Sequence, residues 1–170
     1  MIPEPETISL VPNSGNENDF KRVIDPDEES DSSEDWVVPI ITRREGRERV
    51  ISLLYELEMK NSTPKTLLSE LTLKPDPFVL KRYLGITRSR SQLNDQIKSF
   101  SQDWDPSRMP VLDHAILQLA LFELIFCPEV PTGVVLSEAV ELAQKYSTES
   151  SGKFINGLLS AAARQLRVQE

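Results

Sequence analysis

The sequence predicts an all-α fold. After residue 41, apolar residues recur three and four positions apart, the spacing that puts them on one face of a helix. The alternation of apolar and polar residues that is typical of strands is absent. The longest apolar stretch, residues 115–127, has only 13 residues and is too short to span a bilayer. We therefore expect a helical bundle and no contact with a membrane.

Two helices are predicted at the start of this region. Thr42 with Glu45 three positions later is a capping box, which marks the beginning of a helix. The apolar stripe that follows indicates a helix over about residues 43–60. Pro64 suits the first position of a short second helix, which runs through Leu71.

A third helix is predicted to start after Pro77 and to include the apolar residues up to Ile97. Gly85 and the Ser-rich segment 88–91 lie inside it. Glycine is a poor helix former, so we expect these residues to weaken or interrupt the helix.

The second half predicts three more helices. Pro110 opens a helix of about 17 residues whose apolar positions lie nearly all round, which is typical of a buried central helix. The next helix stops near Tyr146. A Ser/Thr cluster at 147–151 is placed to cap the last helix, roughly residues 151–167.

The net charge of -8 is unevenly distributed. Residues 1–41 contain eleven acidic and two basic residues, a net charge of -9, whereas residues 42–170 contain 17 basic and 16 acidic residues, a net charge of +1. Low apolar content predicts that 1–41 is a disordered acidic extension and that 42–170 is the helical domain. The extension either competes with acidic ligands for basic side chains or only adds solubility.

No catalytic site is predicted. A single Cys and a single His exclude an internal disulfide and a His cluster, and no spacing suits zinc. A Gly-rich phosphate loop is also absent, so we expect no enzyme activity and no cofactor. Cys127 is expected to be a buried thiol, and Glu123, among apolar neighbours, is expected to pair with a base or a helix terminus. The absence of a signal peptide suggests a cytoplasmic protein.

A cluster of arginines at the start of the first helix is the candidate binding site. Arg43, Arg44 and Arg47 are three or four positions apart and are expected to share a face. Guanidinium groups suit phosphate, and so does a helix N-terminus. The alternative is a solvated face without a ligand.

Two stretches at 43–166 resemble the NusB family of bacterial transcription antitermination factors. The first is Arg-Arg-Glu-Gly-Arg-Glu at 43–48, followed by Leu-Leu-Tyr-Glu at 53–56. The second is the C-terminal half, which begins with residues 113–123. It continues with Leu-Ser-Glu-Ala-Val-Glu-Leu-Ala at 136–143 and Lys-Phe-Ile-Asn-Gly-Leu-Leu at 153–159.

The resemblance implies two three-helix bundles side by side. It implies binding to the boxA element of nascent RNA together with NusE, which is also a small-subunit ribosomal protein. Such a complex loads onto RNA polymerase and suppresses termination, notably on ribosomal RNA operons. Matched positions imply RNA contacts at Arg43, Arg44, Arg47, Lys153 and Phe154. Phe154 is alternatively a core residue.

Several positions depart from the family pattern. Gly46 stands where the family usually has Ala, and His114 and Gln118 stand where it commonly has Arg. With the near-neutral domain, these departures leave open a second function, a helical protein-interaction module without RNA binding. Gly157 costs about 1 kcal/mol against Ala inside a helix, so we expect a neighbouring helix or the RNA backbone to approach closely there.

Overall fold

The computed structural model describes residues 41–101 and 108–167, which form seven α helices and no strand. The predicted all-α fold is confirmed. Of the predicted extension, residues 1–41, only Ile41 lies within the described residues, and it packs against the core. In chain order the helices are α1 Arg43–Lys60, α2 Pro64–Ser69, α3 Pro77–Arg88, α4 Arg90–Phe100, α5 Val111–Phe126, α6 Thr132–Tyr146 and α7 Glu149–Leu166.

The start of α1 is the predicted capping box. The hydroxyl of Thr42 accepts a hydrogen bond from the backbone N–H of Glu45 at 3.2 Å. The Glu45 carboxylate accepts one from the backbone N–H of Thr42 at 2.7 Å. Together they satisfy two N–H groups that have no partner inside the helix. Asn61, in the left-handed conformation with φ 47°, ends the helix, so the predicted bounds 43–60 are confirmed.

The predicted break in the third helix lies at Ser89 and not at Gly85. α3 runs through Gly85 to Arg88, and α4 begins immediately after Ser89. The ring of Phe122, from α5, lies against the Gly85 backbone, where a Cβ atom would overlap it. Gly85 therefore permits a close approach of α3 and α5, which offsets its low helix propensity.

α5 is the central helix, as its apolar pattern predicted. Every residue from 115 to 124 is buried, and the helix packs against α1, α3, α4, α6 and α7. Cys127, just after it, is buried as expected, and burial raises the pKa of its thiol. The helices form two groups of three, α1, α3, α4 and α5, α6, α7, with the short α2 beside α1.

Arg167, just after α7, donates hydrogen bonds to backbone carbonyl groups at the C-terminal end of α5. Its guanidinium donates to the backbone carbonyl oxygens of Glu123, Leu124 and Cys127, each at 3.0 Å, and to that of Val130 at 2.6 Å. The last carbonyls of a helix have no partner inside it. One charged side chain thus links the end of α7 to the end of α5.

Two features are absent from the parts of the chain that the structure describes. No group of three or more His, Cys, Asp or Glu side chains there is placed to hold a metal ion. None of the helices there has the length and apolar character needed to cross a membrane.

Candidate nucleic-acid interface

The three arginines at the start of α1 lie in three different environments. Arg43 and Arg44 are exposed, whereas Arg47 is only 5% exposed. The expectation of one shared exposed face is therefore wrong for Arg47. This residue lies three and seven positions before Val50 and Leu54, so it continues the buried stripe of the helix.

Arg47 belongs to a buried ion-pair cluster centred on Glu123, which is 1% exposed. One carboxylate oxygen of Glu123 accepts from Arg47 Nε at 3.0 Å, and the other accepts from Arg82 Nε at 2.6 Å. Arg47 Nη1 also lies 3.7 Å from a carboxylate oxygen of Glu138. The expectation that Glu123 pairs with a base is confirmed. Because a buried charge without a partner is costly, this cluster ties α1, α3 and α5 together.

Arg44 is exposed, but two carboxylates of α6 hold its guanidinium. Its Nη2 lies 2.6 Å from Glu138 Oε1, and its Nη1 lies 2.6 Å from Glu141 Oε2. The hydrogen bond with Glu138 is the largest cause that raises the pKa of Arg44 above its ordinary value. A phosphate that binds Arg44 must replace these carboxylates or share the guanidinium with them.

Arg43 lies against an aromatic ring. Among the residues that the structure describes, no carboxylate lies within 4.0 Å of its guanidinium. Its Cζ atom instead lies 4.6 Å from the centroid of the Phe78 ring, at the start of α3. Stacking on an aromatic ring leaves the N–H groups at the guanidinium edge able to donate to an anion.

Further ion pairs join α1 to α6. The Glu48 carboxylate accepts from Lys145 Nζ at 2.7 Å and from the Tyr146 hydroxyl at 2.9 Å. The bond from Lys145 is the largest cause that lowers the pKa of Glu48. Together with the Arg44 pairs, these contacts form a polar seam, which attaches the basic start of α1 to one side of α6.

Lys153 and Phe154 lie on the first turns of α7. Lys153 is exposed and pairs only weakly with Glu149, an exposed neighbour one turn earlier, at 3.1 Å. Phe154 is half-buried and packs against the core. α7 packs along α6, the helix whose carboxylates hold Arg44.

Gly157 is not covered by a neighbouring helix. No described atom would come within 4 Å of a Cβ built there, and both Gly157 and Asn156 are exposed. The expectation of a close helix contact is therefore wrong. The alternative, that RNA approaches this surface, stays a prediction.

His114 and Gln118 both contact Asn94 of α4. Both side-chain nitrogens face the Oδ1 atom of Asn94, His114 Nε2 at 3.0 Å and Gln118 Nε2 at 2.9 Å. Burial is the main cause that lowers the pKa of His114, with Arg90 the second. These residues link α4 to α5 and add no positive charge to the surface.

Four residues at this site were not identified from the sequence. They are Arg82, Phe78 and the pair of carboxylates on α6, Glu138 and Glu141. The isolated Glu123 signalled that a buried base was needed, but nothing local selected Arg82. Phe78 carries no signal beyond its position at a helix start.

Comparison with known proteins identifies the family. A model of the NusB family matches residues 44–164, which is most of the chain. This chain belongs to the NusB family. Transcription antitermination protein NusB of Kineococcus radiotolerans is 33% identical over 125 residues, which cover 71% of this chain and 92% of that protein. The protein of the same name from Acidothermus cellulolyticus is 36% identical over 123 residues, covering 70% and 85%.

Solved structures of NusB proteins share the fold. T. maritima NusB superposes with a TM-score of 0.68 at 32% identity, covering 75% of this chain and 94% of that one. A crystal structure of the antitermination factors NusB and NusE in complex with double-stranded RNA matches with a TM-score of 0.63 at 25% identity, covering 72% and 96%. The resemblance noted in the sequence is thus confirmed at the level of family and fold.

Proposed function

We propose that this protein is a transcription antitermination factor that binds boxA-type RNA together with NusE. It acts in the cytoplasm as part of an RNA polymerase antitermination complex, and its role is binding rather than catalysis. The observation that carries the proposal is the family match over residues 44–164, with a similar fold in a NusB–NusE–RNA complex.

Among the candidate residues, Arg43 is the one that the geometry favours most as an RNA contact. It is exposed, has no carboxylate partner among the described residues, and lies at the N-terminal turn of α1, where backbone N–H groups also attract phosphate. Arg44 joins it once Glu138 and Glu141 release its guanidinium. On α7, Lys153 supplies a further phosphate contact, and the half-buried Phe154 beside it is the candidate for a contact with a base.

Arg47 acts on the interface indirectly, from a buried position. Its guanidinium is committed to Glu123, so its proposed role is to orient the first turns of α1 rather than to reach RNA directly. A buried pair of this kind constrains position more than it adds stability. Arg43 and Arg44 then project from a helix start that cannot tilt freely.

The second candidate is a protein-interaction module that does not bind RNA. Two observations favour it: residues 42–170 have a net charge of only +1, and the exposed Arg44 is already neutralised by two carboxylates. Binding to RNA phosphates releases counterions and therefore weakens steeply with salt, whereas binding to protein alone does so much less.

A salt titration distinguishes the two functions. Affinity for a boxA-type RNA is measured at several salt concentrations, with and without NusE, beside a scrambled RNA of equal length. RNA binding predicts a linear fall of log affinity with log salt and a preference for the boxA sequence when NusE is present. An absence of RNA binding in both conditions, with NusE binding intact, leaves the protein-interaction module.

The same titration tests the assigned residues. Arg43→Ala is expected to lower the salt slope by about 0.7–0.9, the value for one lost phosphate contact. Arg49→Ala is the matched control, because Arg49 is an exposed arginine of α1 on a different side of the helix. An equal effect of both variants would show general charge attraction instead of a defined contact.

The division into an acidic extension, residues 1–41, and an RNA-binding domain, residues 42–170, also remains a proposal. Deleting residues 1–35 is expected to leave RNA affinity unchanged if the extension is only solvated. Tighter binding on deletion at low salt, which diminishes as salt rises, would instead show that the extension competes with RNA for the arginines.

A further inference from the structure

Phe78, at the first turn of α3, lies on the backbone of α1 where Gly46 has no side chain. A Cβ atom at Gly46 would come within 2.6 Å of Phe78 Cδ1 and 2.8 Å of Cε1, much closer than real Cβ contacts. The ring therefore uses the space that the missing side chain leaves. Asp76 also fixes the start of α3, because its carboxylate accepts from the Phe78 backbone N–H at 2.7 Å.

Arginine side chains surround the same ring. The Cζ atom of Arg82 lies 3.4 Å from the ring centroid, that of Arg43 at 4.6 Å and that of Arg47 at 5.8 Å. Arg82 and Arg47 are both held by the buried Glu123. Phe78 thus lies against two buried, ion-paired arginines, while Arg43, its third cationic neighbour, is exposed.

We propose that Phe78 is a positioning residue of the RNA interface, which holds the guanidinium of Arg43 in the orientation that binds RNA. The inference rests on the proposed function. An exposed arginine loses rotamer freedom when it binds a ligand, and prior contact with a ring reduces that loss. A ring contact also leaves the N–H donors unused, unlike the carboxylate pairs of Arg44.

Arg43 and Arg44 differ in the groups that order their guanidinium groups. Both are exposed arginines at one helix start, yet Arg44 is ordered by anions that a phosphate must displace, and Arg43 is ordered by a neutral ring. Phe78 therefore makes Arg43 the arginine that is both oriented and available. Gly46 is part of the same arrangement, because any side chain there displaces the ring.

The test is a double-mutant cycle on RNA affinity at low salt, with the full chain and a boxA-type RNA. Phe78→Leu is expected to weaken binding about two- to fivefold, the factor that corresponds to an exposed cation–π contact. In an Arg43→Ala background the same substitution is expected to have no further effect. Phe100→Leu is the matched control, a part-buried Phe of α4 packed on the core.

Gly46→Ala provides a second variant that is independent of any loss of folding in Phe78→Leu. Alanine favours the helix, so α1 is not weakened by its propensity. Gly46→Ala is nevertheless expected to weaken RNA binding about as much as Phe78→Leu, because its Cβ displaces the ring. In the Phe78→Leu background, Gly46→Ala is expected to change RNA affinity no further.

Each outcome decides one of the two proposals. If Arg43→Ala weakens binding while Phe78→Leu and Gly46→Ala bind as the parent does, the role of Phe78 is overturned and the RNA function stands. Additive losses from Phe78→Leu and Arg43→Ala also overturn it, because they show independent effects. If the parent protein binds no RNA in the presence of NusE, the proposed function itself fails.

Discussion

The starts of α1 and α7 both carry candidate RNA contacts, but different forces organise them. Residues at the start of α1 are positioned by side chains far along the chain, such as Glu123 and Glu138. At the start of α7, Lys153 pairs with Glu149, on the same helix one turn earlier. The first region is therefore a product of the tertiary structure, and the second is largely a local one.

This difference shows where sequence patterns are informative about function. Lys153, a candidate RNA contact by its matched position, is exposed. The three arginines of α1 have one chemistry and one local pattern, yet one is buried, one is paired with two carboxylates and one lies on an aromatic ring. Helical spacing alone does not distinguish these three environments.

The largest effect is expected on the free energy of unfolding, from a substitution in the buried ion-pair cluster that holds the start of α1. Glu123→Ala is expected to lower the free energy of unfolding by about 3–5 kcal/mol, because it leaves two buried guanidinium groups without their carboxylate. Denaturant unfolding measures this change. Glu149→Ala on α7 is the control and should have little effect, since its pair with Lys153 is exposed. Equal costs for the two variants would remove the distinction between the regions.

Substitution of two glycines, Gly85 in α3 and Gly157 in α7, tests how tightly each region is packed. Gly85→Ala is expected to lower the free energy of unfolding by about 1–3 kcal/mol, because the new Cβ overlaps the Phe122 ring. Gly157→Ala is expected to raise it by up to about 1 kcal/mol, because Ala favours a helix and the surrounding space is open. Thermal or denaturant unfolding of both variants gives the signs. A destabilised Gly157→Ala would mean that α7 is more constrained than its neighbours show.

A smaller effect is expected on RNA affinity when an ion pair of Arg44 is removed. Glu141→Gln is expected to tighten RNA binding about two- to threefold at low salt, because one of the two carboxylates that compete with phosphate becomes neutral. The gain should disappear in an Arg44→Ala background. Glu129→Gln, at an exposed acid between α5 and α6, is the control for general charge. Persistence of the gain without Arg44 would show that the ion pair is not what limits binding.

His114 gives the smallest effect, and it depends on pH. Its pKa is lowered in the folded protein, mainly by burial, so the folded state binds fewer protons than the unfolded state. Stability is therefore full above the ordinary His pKa of about 6.5 and decreases as pH falls through the lowered folded value, by at most about 1.4 kcal/mol per pH unit for one proton.

Denaturant unfolding of the parent and of His114→Gln between pH 5 and 8 measures this dependence. The variant should show a flatter profile on the acid side, because the Asn94 contact no longer includes a group that titrates there. Arg90 and Glu58, the charged groups that also act on His114, are present in both proteins. Identical profiles would show that His114 titrates alike in the folded and unfolded states.

Much of the fold was predictable because its signals are local. The capping box at Thr42, the apolar positions of α5 and the Thr148 hydroxyl that caps α7 each act within one or two helical turns. The break at Ser89 was only approximately predicted. Gly85 indicated a weak helix, and only the Phe122 ring from α5 explains why α3 continues through it.

The candidate site was less predictable, because the contacts that organise it join residues far apart in the chain. Glu123 showed that a buried base was required, because an ionised carboxylate in an apolar helix needs a partner. Two arginines separated from it by 76 and 41 positions fulfil that need. Contacts between residues this far apart produce no periodic pattern in the sequence. The local spacing of Arg47 with Arg43 and Arg44 therefore suggested a surface position.

The sequence by itself determined that this protein is a helical member of the NusB family with arginines at the start of its first long helix. Helix formation and capping depend on neighbours a few residues apart, and family motifs are read directly from residue order. The tertiary structure alone decided that Arg47 is buried, that Arg44 is bound to α6 and that Arg43 lies on Phe78. Burial and charge pairing depend on which surfaces meet when helices pack, and that information is distributed over the whole chain.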